Sequence, residues 1–257
     1  MSTHPPARPY RAYSAIYFRA SPTFNAWVKL TAADVQALRS EPEYQGQHIY
    51  FHLNHPIRFV CVVGVIVAID DINLRYTVLT IDDGSGATVE VKIVRTPPIK
   101  HRPVETSSNT TIENVNIISQ SGVFEIMVDN HQLDIGTVIK SKCTISMFRG
   151  IKQLELKRVW VVTTTNEEAQ AWAEAAAFKQ EVLSTPWHVS TAEGENIKKS
   201  IWKEKIKAKD YDRKYKEYEI KKEKQKQARE AYWAQREVKL ERRRRKEEPM
   251  MNAGALI

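Results

Sequence analysis

The sequence predicts a mainly β fold: a five-stranded barrel with helical additions at both ends. Three observations carry that reading. A valine-rich run from Ile57 to Ile69 is interrupted by Gly64, two further stretches alternate apolar and polar side chains around sharp turns, and the region beyond Glu193 is charged with no aliphatic periodicity.

The elements follow in order. Residues 1–12 are proline-rich and read as a disordered leader. An N-terminal helical segment follows an aromatic stretch containing Tyr13, Tyr17, Phe18, Phe24 and Trp27. Thr31 and Asp34 have the spacing of a capping box, so a short helix starts there, turns Val35 and Leu38 inward and ends at Pro42 and Gly46. In the first strand, Phe59, Cys61, Val63, Val65 and Val67 share one face, and Val60, Val62 and Ile66 share the other. A glycine in mid-strand suits a bulge or sharp bend. Arg75 to Ile81 is the second strand, Asp82-Asp83-Gly84-Ser85-Gly86 the turn, and Ala87 to Val94 the third strand with Val89, Val91 and Ile93 inward.

Thr96 to Thr111 reads as a flexible loop, and Val115 to Val128 as either a helix or an extra strand. Val138 to Met147 and Ile151 to Val162 form a second hairpin, with Ile139, Ser141, Cys143, Ile145 and Met147 on one side. Three strands, a connection and two strands is the order of an OB-fold barrel. A bent first strand shared by both sheets is what closing a small barrel requires. An SH3-like barrel or a sandwich fragment is the competitor.

Thr165-Asn166-Glu167-Glu168 starts a post-barrel α-helix, on which Ala169, Trp172, Ala173, Ala176 and Leu183 form one stripe. That stripe either packs on its own barrel or is offered to a partner. The predicted domains are therefore 13–185 for the OB-fold with its flanking helices and 186–257 for a long charged C-terminal helix.

Of 257 residues, 39 are Lys or Arg and 31 are Asp or Glu, for a net charge of +8. From Glu193 onward lie 21 of those bases and 13 of those acids, so the whole excess belongs to the tail and the front is neutral. Two cysteines exclude a disulfide framework and a four-cysteine zinc site, and point to an intracellular protein. No apolar run reaches the roughly 18 residues of a membrane span, and no signal peptide is visible. Neither a phosphate-binding loop, a nucleophile elbow nor a dinucleotide fingerprint is present. His48, His52 and His55 cluster, but without cysteine or carboxylate company. Cys61 and Cys143 fall on barrel strands. The sequence reads as a binding protein that is not an enzyme and has no cofactor or metal.

Asn54-His55-Pro56-Ile57-Arg58-Phe59-Val60, joined to the Gly-bent strand Val63 to Ile69, resembles the first strand of the fungal Stn subunit of the telomere-capping CST complex. Tyr50-Phe51-His52-Leu53, the Asp82 to Gly86 turn, Phe148-Arg149-Gly150 and the Asn166 to Trp172 helix start fit the same pattern. The resemblance spans about Tyr13 to Leu183. It implies a nuclear protein at the telomeric region of chromosomes. It also implies a heterodimer with a small OB-fold Ten subunit, docked through the post-barrel helix. The pair would bind single-stranded telomeric DNA. A larger CST subunit and DNA polymerase alpha–primase, for C-strand fill-in, are the further implied partners. Many members carry winged-helix modules after the OB domain, where this sequence has a charged tail. The middle subunit of replication protein A shares the plan, so a general single-strand binder is the alternative; a protein-interaction scaffold is the other.

Single-strand binding needs cations for phosphates and flat groups for stacking, usually on strands two and three and the neighbouring loops. The candidates are Arg75 and Tyr76 on strand two, Lys92 and Arg95 on strand three, and Lys140, Lys142, Phe148, Arg149 and Lys152 at the four–five hairpin. In the tail, acid–base pairs four apart, such as Glu241–Arg245, support one helix of about 50 residues and roughly 75–80 Å. Its aromatics, Trp202, Tyr211, Tyr215, Tyr218, Tyr232 and Trp233, interleave with lysines and make it either a contacting arm or a solvated spacer. Arg242-Arg243-Arg244-Arg245-Lys246 fits a nuclear import signal.

Overall fold

The computed structural model describes residues 10–72, 75–96, 109–120 and 123–253. Most of the expected leader and most of the expected loop from Thr96 to Thr111 lie outside the described residues. The chain forms two compact units, Met1–Ser190 and Thr191–Ile257.

The first unit is mainly β. A 3-10 segment, Ala15–Ala20, leads to β1 (Trp27–Lys29), α1 (Ala32–Ala37) and β2 (Arg39–Ser40). The hairpin of β3 (Tyr50–His52) and β4 (His55–Ile57) precedes the long β5 (Phe59–Ile72). Then come β6 (Tyr76–Asp82), β7 (Thr88–Val94), β8 (Val115–Gln120), β9 (Val123–Val128) and β10 (His131–Leu133). The remaining strands are β11 (Val138–Phe148) and β12 (Ile151–Val161). The main sheet runs β1-β5-β11-β12-β7-β6, and β6 also pairs with β5.

Gly64 is where β5 serves two neighbours. Phe59 to Val65 pairs with β11, and Val65 to Ile72 pairs with β6. A Cβ on Gly64 would stand 2.5 Å from the Asp82 carbonyl oxygen, so only glycine permits this approach. The bulge itself lies two residues further on, between Ile66 and Ala68. Inward residues alternate as expected: Val60, Val62, Ile66, Val89, Val91, Ile93, Ile139, Cys143, Ile145, Leu154 and Leu156 are buried together. Each large one contributes about 1.5–3 kcal/mol by leaving water. Met147, next to the β11–β12 turn, is the exception at 49% exposed.

The ambiguous segment is strand. β8 and β9 pair antiparallel, β10 joins β9, and Val115, Ile117, Ile126, Val128 and Leu133 enter the core. Burial at alternate positions is the two-residue period of a strand.

Helix α1 starts as read, with Thr31 Oγ1 accepting from the Asp34 N–H at 3.1 Å. It ends earlier than expected, at Ala37. Leu38 turns extended and Arg39–Ser40 pairs with Tyr50–Phe51, so Pro42 and Gly46 are not its stop. The Asp82 to Gly86 turn supplies a distant cap: the Ala32 N–H donates to Asp83 Oδ2 at 2.7 Å and the Ala33 N–H to Ser85 Oγ at 3.1 Å.

After β12, Thr164 caps α2 (Thr165–Phe178), accepting from the Glu167 N–H, and a π-helical turn carries the helix on to Leu183. The second unit is α3 (Thr191–Ala253), one helix of 63 residues, longer than the expected length, that runs through Pro249.

Candidate nucleic-acid and partner interfaces

The segment Asn54-His55-Pro56 is a latch. The Asn54 side chain donates to the carbonyls of Arg11 at 3.0 Å and Trp187 at 2.8 Å, and accepts from the Trp187 N–H at 2.7 Å. His55 Nε2 is 2.8 Å from the Thr185 carbonyl, which can only accept, so Nε2 carries the proton. Its Nδ1 is buried without a partner among the described residues. Burial pushes the imidazole below its ordinary value, against the Thr185 hydrogen bond. Thr23 donates to the Pro56 carbonyl at 2.8 Å, and the Tyr13 ring meets that of Trp187 at a tilt, with centres 4.9 Å apart, while its hydroxyl accepts from the Val189 N–H. The N-terminal segment and the chain after α2 are thus held by one hairpin. Of the three histidines, His48 is exposed, His52 half-buried and His55 buried.

Helix α2 presents two faces. Ala171, Glu174, Ala175, Phe178 and Val182 are partly covered. Lys29 pairs with Glu174 at 2.9 Å and Lys179 with Asp34 at 2.7 Å. Burial raises the Asp34 carboxyl, but hydrogen bonds from Lys179 and Thr31 outweigh it and hold the group below the ordinary carboxylate value. The stripe read from the sequence divides. Ala169, Trp172, Ala173 and Ala176 are exposed, Trp172 at 52%, whereas Leu183 is in the core.

The candidate DNA contacts fall into separate groups. Tyr76 is exposed on β6, with Lys92 Nζ 5.3 Å from its ring centre and Arg75 just before it. Phe148, 54% exposed, sits at the β11–β12 tip with Arg149 at 5.2 Å. Arg95 is committed elsewhere: it donates to Asp71 at 2.6 Å and to Thr77, leaving 7% of its side chain exposed. Lys152 donates to the Gln36 carbonyl at 2.6 Å, and burial lowers its ammonium. Lys140 lines the groove beneath α2, with Cys61 and Val63. Lys142 stands between the rings of Trp27 and Trp160. The sequence reading missed both tryptophans and Arg58; the available signal was the outward parity of Trp160, which lies opposite Lys140.

Both cysteines are buried, and burial pushes the Cys143 thiol up to about 12. Among the described residues, no three His, Cys, Asp or Glu side chains group as a metal set. On α3, Arg243 pairs with Glu247 at 2.8 Å, Arg245 with Glu241 at 3.4 Å as expected, and Asp210 with Arg213 at 3.3 Å. Arg242 and Lys246 have no ion pair among the described residues.

Residues 10–98 match the family model of telomere regulation protein Stn1. The bovine CST complex subunit STN1 is 24% identical over 170 residues, 65% of this chain and 45% of that protein. The fission yeast Schizosaccharomyces pombe protein stn1 is 36% identical over 73 residues, 28% of this chain and 22% of that protein. The chain therefore matches less than half the length of either relative. A chain of the crystal structure of yeast Stn1 and Ten1 aligns with TM-score 0.50 at 17% identity, covering 74% of this chain and 91% of that one; this likeness shows an OB-like fold. The Stn resemblance holds, and the Asn54 to Ile69 segment that carries it lies within the matched residues.

Proposed function

We propose that this Stn1-like chain is a telomere-end protection subunit that works by binding and not by catalysis. The observation that carries the reading is the Stn1 family match over residues 10–98, which includes the Asn54 latch and the Gly64-bent strand. The cycle of pairings from β5 through β11, β12, β7 and β6 back to β5 is read as a closed five-stranded OB barrel. Residues 13–190 form its working domain, since Trp187 and Val189 are held by Asn54 and Tyr13, and 191–257 the charged arm.

Its partner is a small OB-fold subunit of the Ten type, docked on the outward stripe of α2. Two facts support this. The aligned yeast structure is of Stn1 and Ten1. Ala169, Trp172, Ala173 and Ala176 give a helix face with one large anchor and small neighbours, open to close helix approach. The pair binds single-stranded telomeric DNA in the nucleus. Tyr76 with Arg75 and Lys92, and Phe148 with Arg149, are the stacking and phosphate groups of that path. Lys140 is its flanking cation, whereas Arg95 and Lys152 are held within the fold by Asp71 and Gln36 and Lys142 lies between Trp27 and Trp160. A larger CST subunit and DNA polymerase alpha–primase complete the capping and fill-in role, with import through Arg242 to Lys246.

Co-expression with a Ten-type protein tests the partner. A one-to-one complex is expected, and Trp172→Glu should abolish it while leaving the monomer's melting unchanged. A complex that survives Trp172→Glu would remove α2 as the docking helix.

A further inference from the structure

The first unit carries a second aromatic and cationic surface, on β1, β5, β11 and β12. These four strands are adjacent in the main sheet, β1 running parallel to β5. Val28, Val60 and Cys143 point into the core, so the alternate residues Trp27, Phe59 and Lys142 point away from it. Trp160 follows the buried Val159 and is 41% exposed.

These outward groups form a continuous ladder. Arg58 lies over Phe24 at 5.1 Å and over Phe59 at 5.0 Å. The rings of Phe59 and Trp27 are 5.0 Å apart. Lys142 Nζ lies 5.7 Å from the Trp27 ring centre and 5.3 Å from that of Trp160. Cation–π contacts of this kind occur about once per 70–80 residues in ordinary folds, yet here Lys142 on β11 reaches one ring on β1 and one on β12, and Arg58 reaches Phe59 on β5 and Phe24 in the turn before β1. Among the described residues neither Lys142 nor Arg58 has a carboxylate partner. Glu174, the acid that reaches β1, is taken by Lys29.

Plain stability does not call for this composition. Aliphatic side chains would cover the sheet without leaving cations unneutralised. Flat rings between unneutralised cations are what a single strand needs, because bases of any sequence stack on rings and phosphates take the charge. Three strand-to-strand gaps of about 4.8 Å give a width of roughly 14 Å, room for about four bases at a 3.4 Å rise.

We propose that this ladder is a second path for single-stranded nucleic acid, with bases on Trp27 and Trp160 and phosphates against Lys142 and Arg58. The inference rests on the reading of the protein as a single-strand binder, but it assigns a face other than β6 and β7.

The test uses the full chain and a fluorescein-labelled oligodeoxythymidylate. Trp160→Ala should weaken binding about fivefold or more, and Trp160→Phe should restore most of it. Lys142→Gln should lower the slope of log affinity against log salt by about 0.7. Photo-crosslinks from a 5-iododeoxyuridine oligonucleotide should map to peptides holding Trp27 or Trp160. Crosslinks confined to Tyr76, Phe148 or α3, with affinity unchanged in Trp160→Ala, overturn the ladder and leave the β6–β7 path standing. No crosslink and no binding by any form overturn both. If Trp160→Ala does not fold, the Lys142→Gln slope decides: an unchanged slope overturns the proposal.

Discussion

Asn54 and Trp187, 133 positions apart, hold each other by two hydrogen bonds, the amide donating to the Trp187 carbonyl at 2.8 Å and accepting from the Trp187 N–H at 2.7 Å. A backbone segment after a helix has no regular partners of its own, and one buried side-chain amide satisfies both of its groups. Asn54→Ala removes the amide and strands three backbone groups, the Arg11 carbonyl and both groups of Trp187, so it should cost about 1–3 kcal/mol in urea unfolding. Hydrogen exchange should show the loss concentrated near residues 10–13 and 184–190. Uniform loss across the strands would mean that the residue does not act as a latch.

The same hairpin makes stability depend on pH. Burial lowers His55 and also His52 from the ordinary 6.5. As pH falls through 6.5 the unfolded chain takes up protons that the folded chain refuses. The stability these groups contribute is therefore complete above 6.5 and is lost as pH falls toward the folded values. Melting temperature should drop between about pH 7.5 and pH 5.5. The drop should be smaller in His55→Leu, which is less stable at neutral pH because the Thr185 carbonyl loses its donor. An equal drop in the variant would assign the dependence to other groups.

What was legible in the sequence follows from periodicity. Val89, Val91 and Ile93, like Ile139, Cys143 and Ile145, declared their strands because a two-residue period admits one buried face. Val115 to Val128 did not, because Ile117 and Ile118 are adjacent and both apolar, yet only Ile117 is buried. On α2, a helical wheel finds the stripe through Trp172 but cannot orient it: Ala171 and Ala175 are partly covered while Ala173 and Ala176 are exposed, and alanine marks neither side. The Trp27–Lys142–Trp160 stack was invisible for another reason. Its members meet through the parallel pairing of β1 with β5, a long-range choice that no local pattern encodes.

Gly64 allows a sharper test of the shared strand. Its added Cβ would meet the Asp82 carbonyl oxygen at 2.5 Å and Ile81 Cγ2 at 2.7 Å. The carbonyl belongs to a paired strand and cannot swing aside. Gly64→Ala should therefore cost about 2–3 kcal/mol or more, beyond any change in chain entropy. Urea unfolding measures it, and a loss below 1 kcal/mol would show that β5 and β6 can part at this point.

Asp83 and Ser85 separate turn chemistry from helix support. Within the turn, Asp82 accepts from the Gly84 N–H at 2.8 Å and Asp83 Oδ1 from the Ser85 N–H at 3.1 Å. Asp83 Oδ2 and Ser85 Oγ also accept from Ala32 and Ala33, where first-turn N–H groups have no helical partner. Asp82→Ala loses a turn bond only and should cost less than about 1 kcal/mol. Asp83→Ala loses a charged cap as well and should cost about 1–2 kcal/mol. Because α1 also meets β12 through the mutual Gln36–Lys152 bonds, the helix stays attached while its first turn frays. Hydrogen exchange at residues 32–34 should rise in Asp83→Ala and stay unchanged in Asp82→Ala; equal exchange in the two would mean that Thr31 alone caps α1.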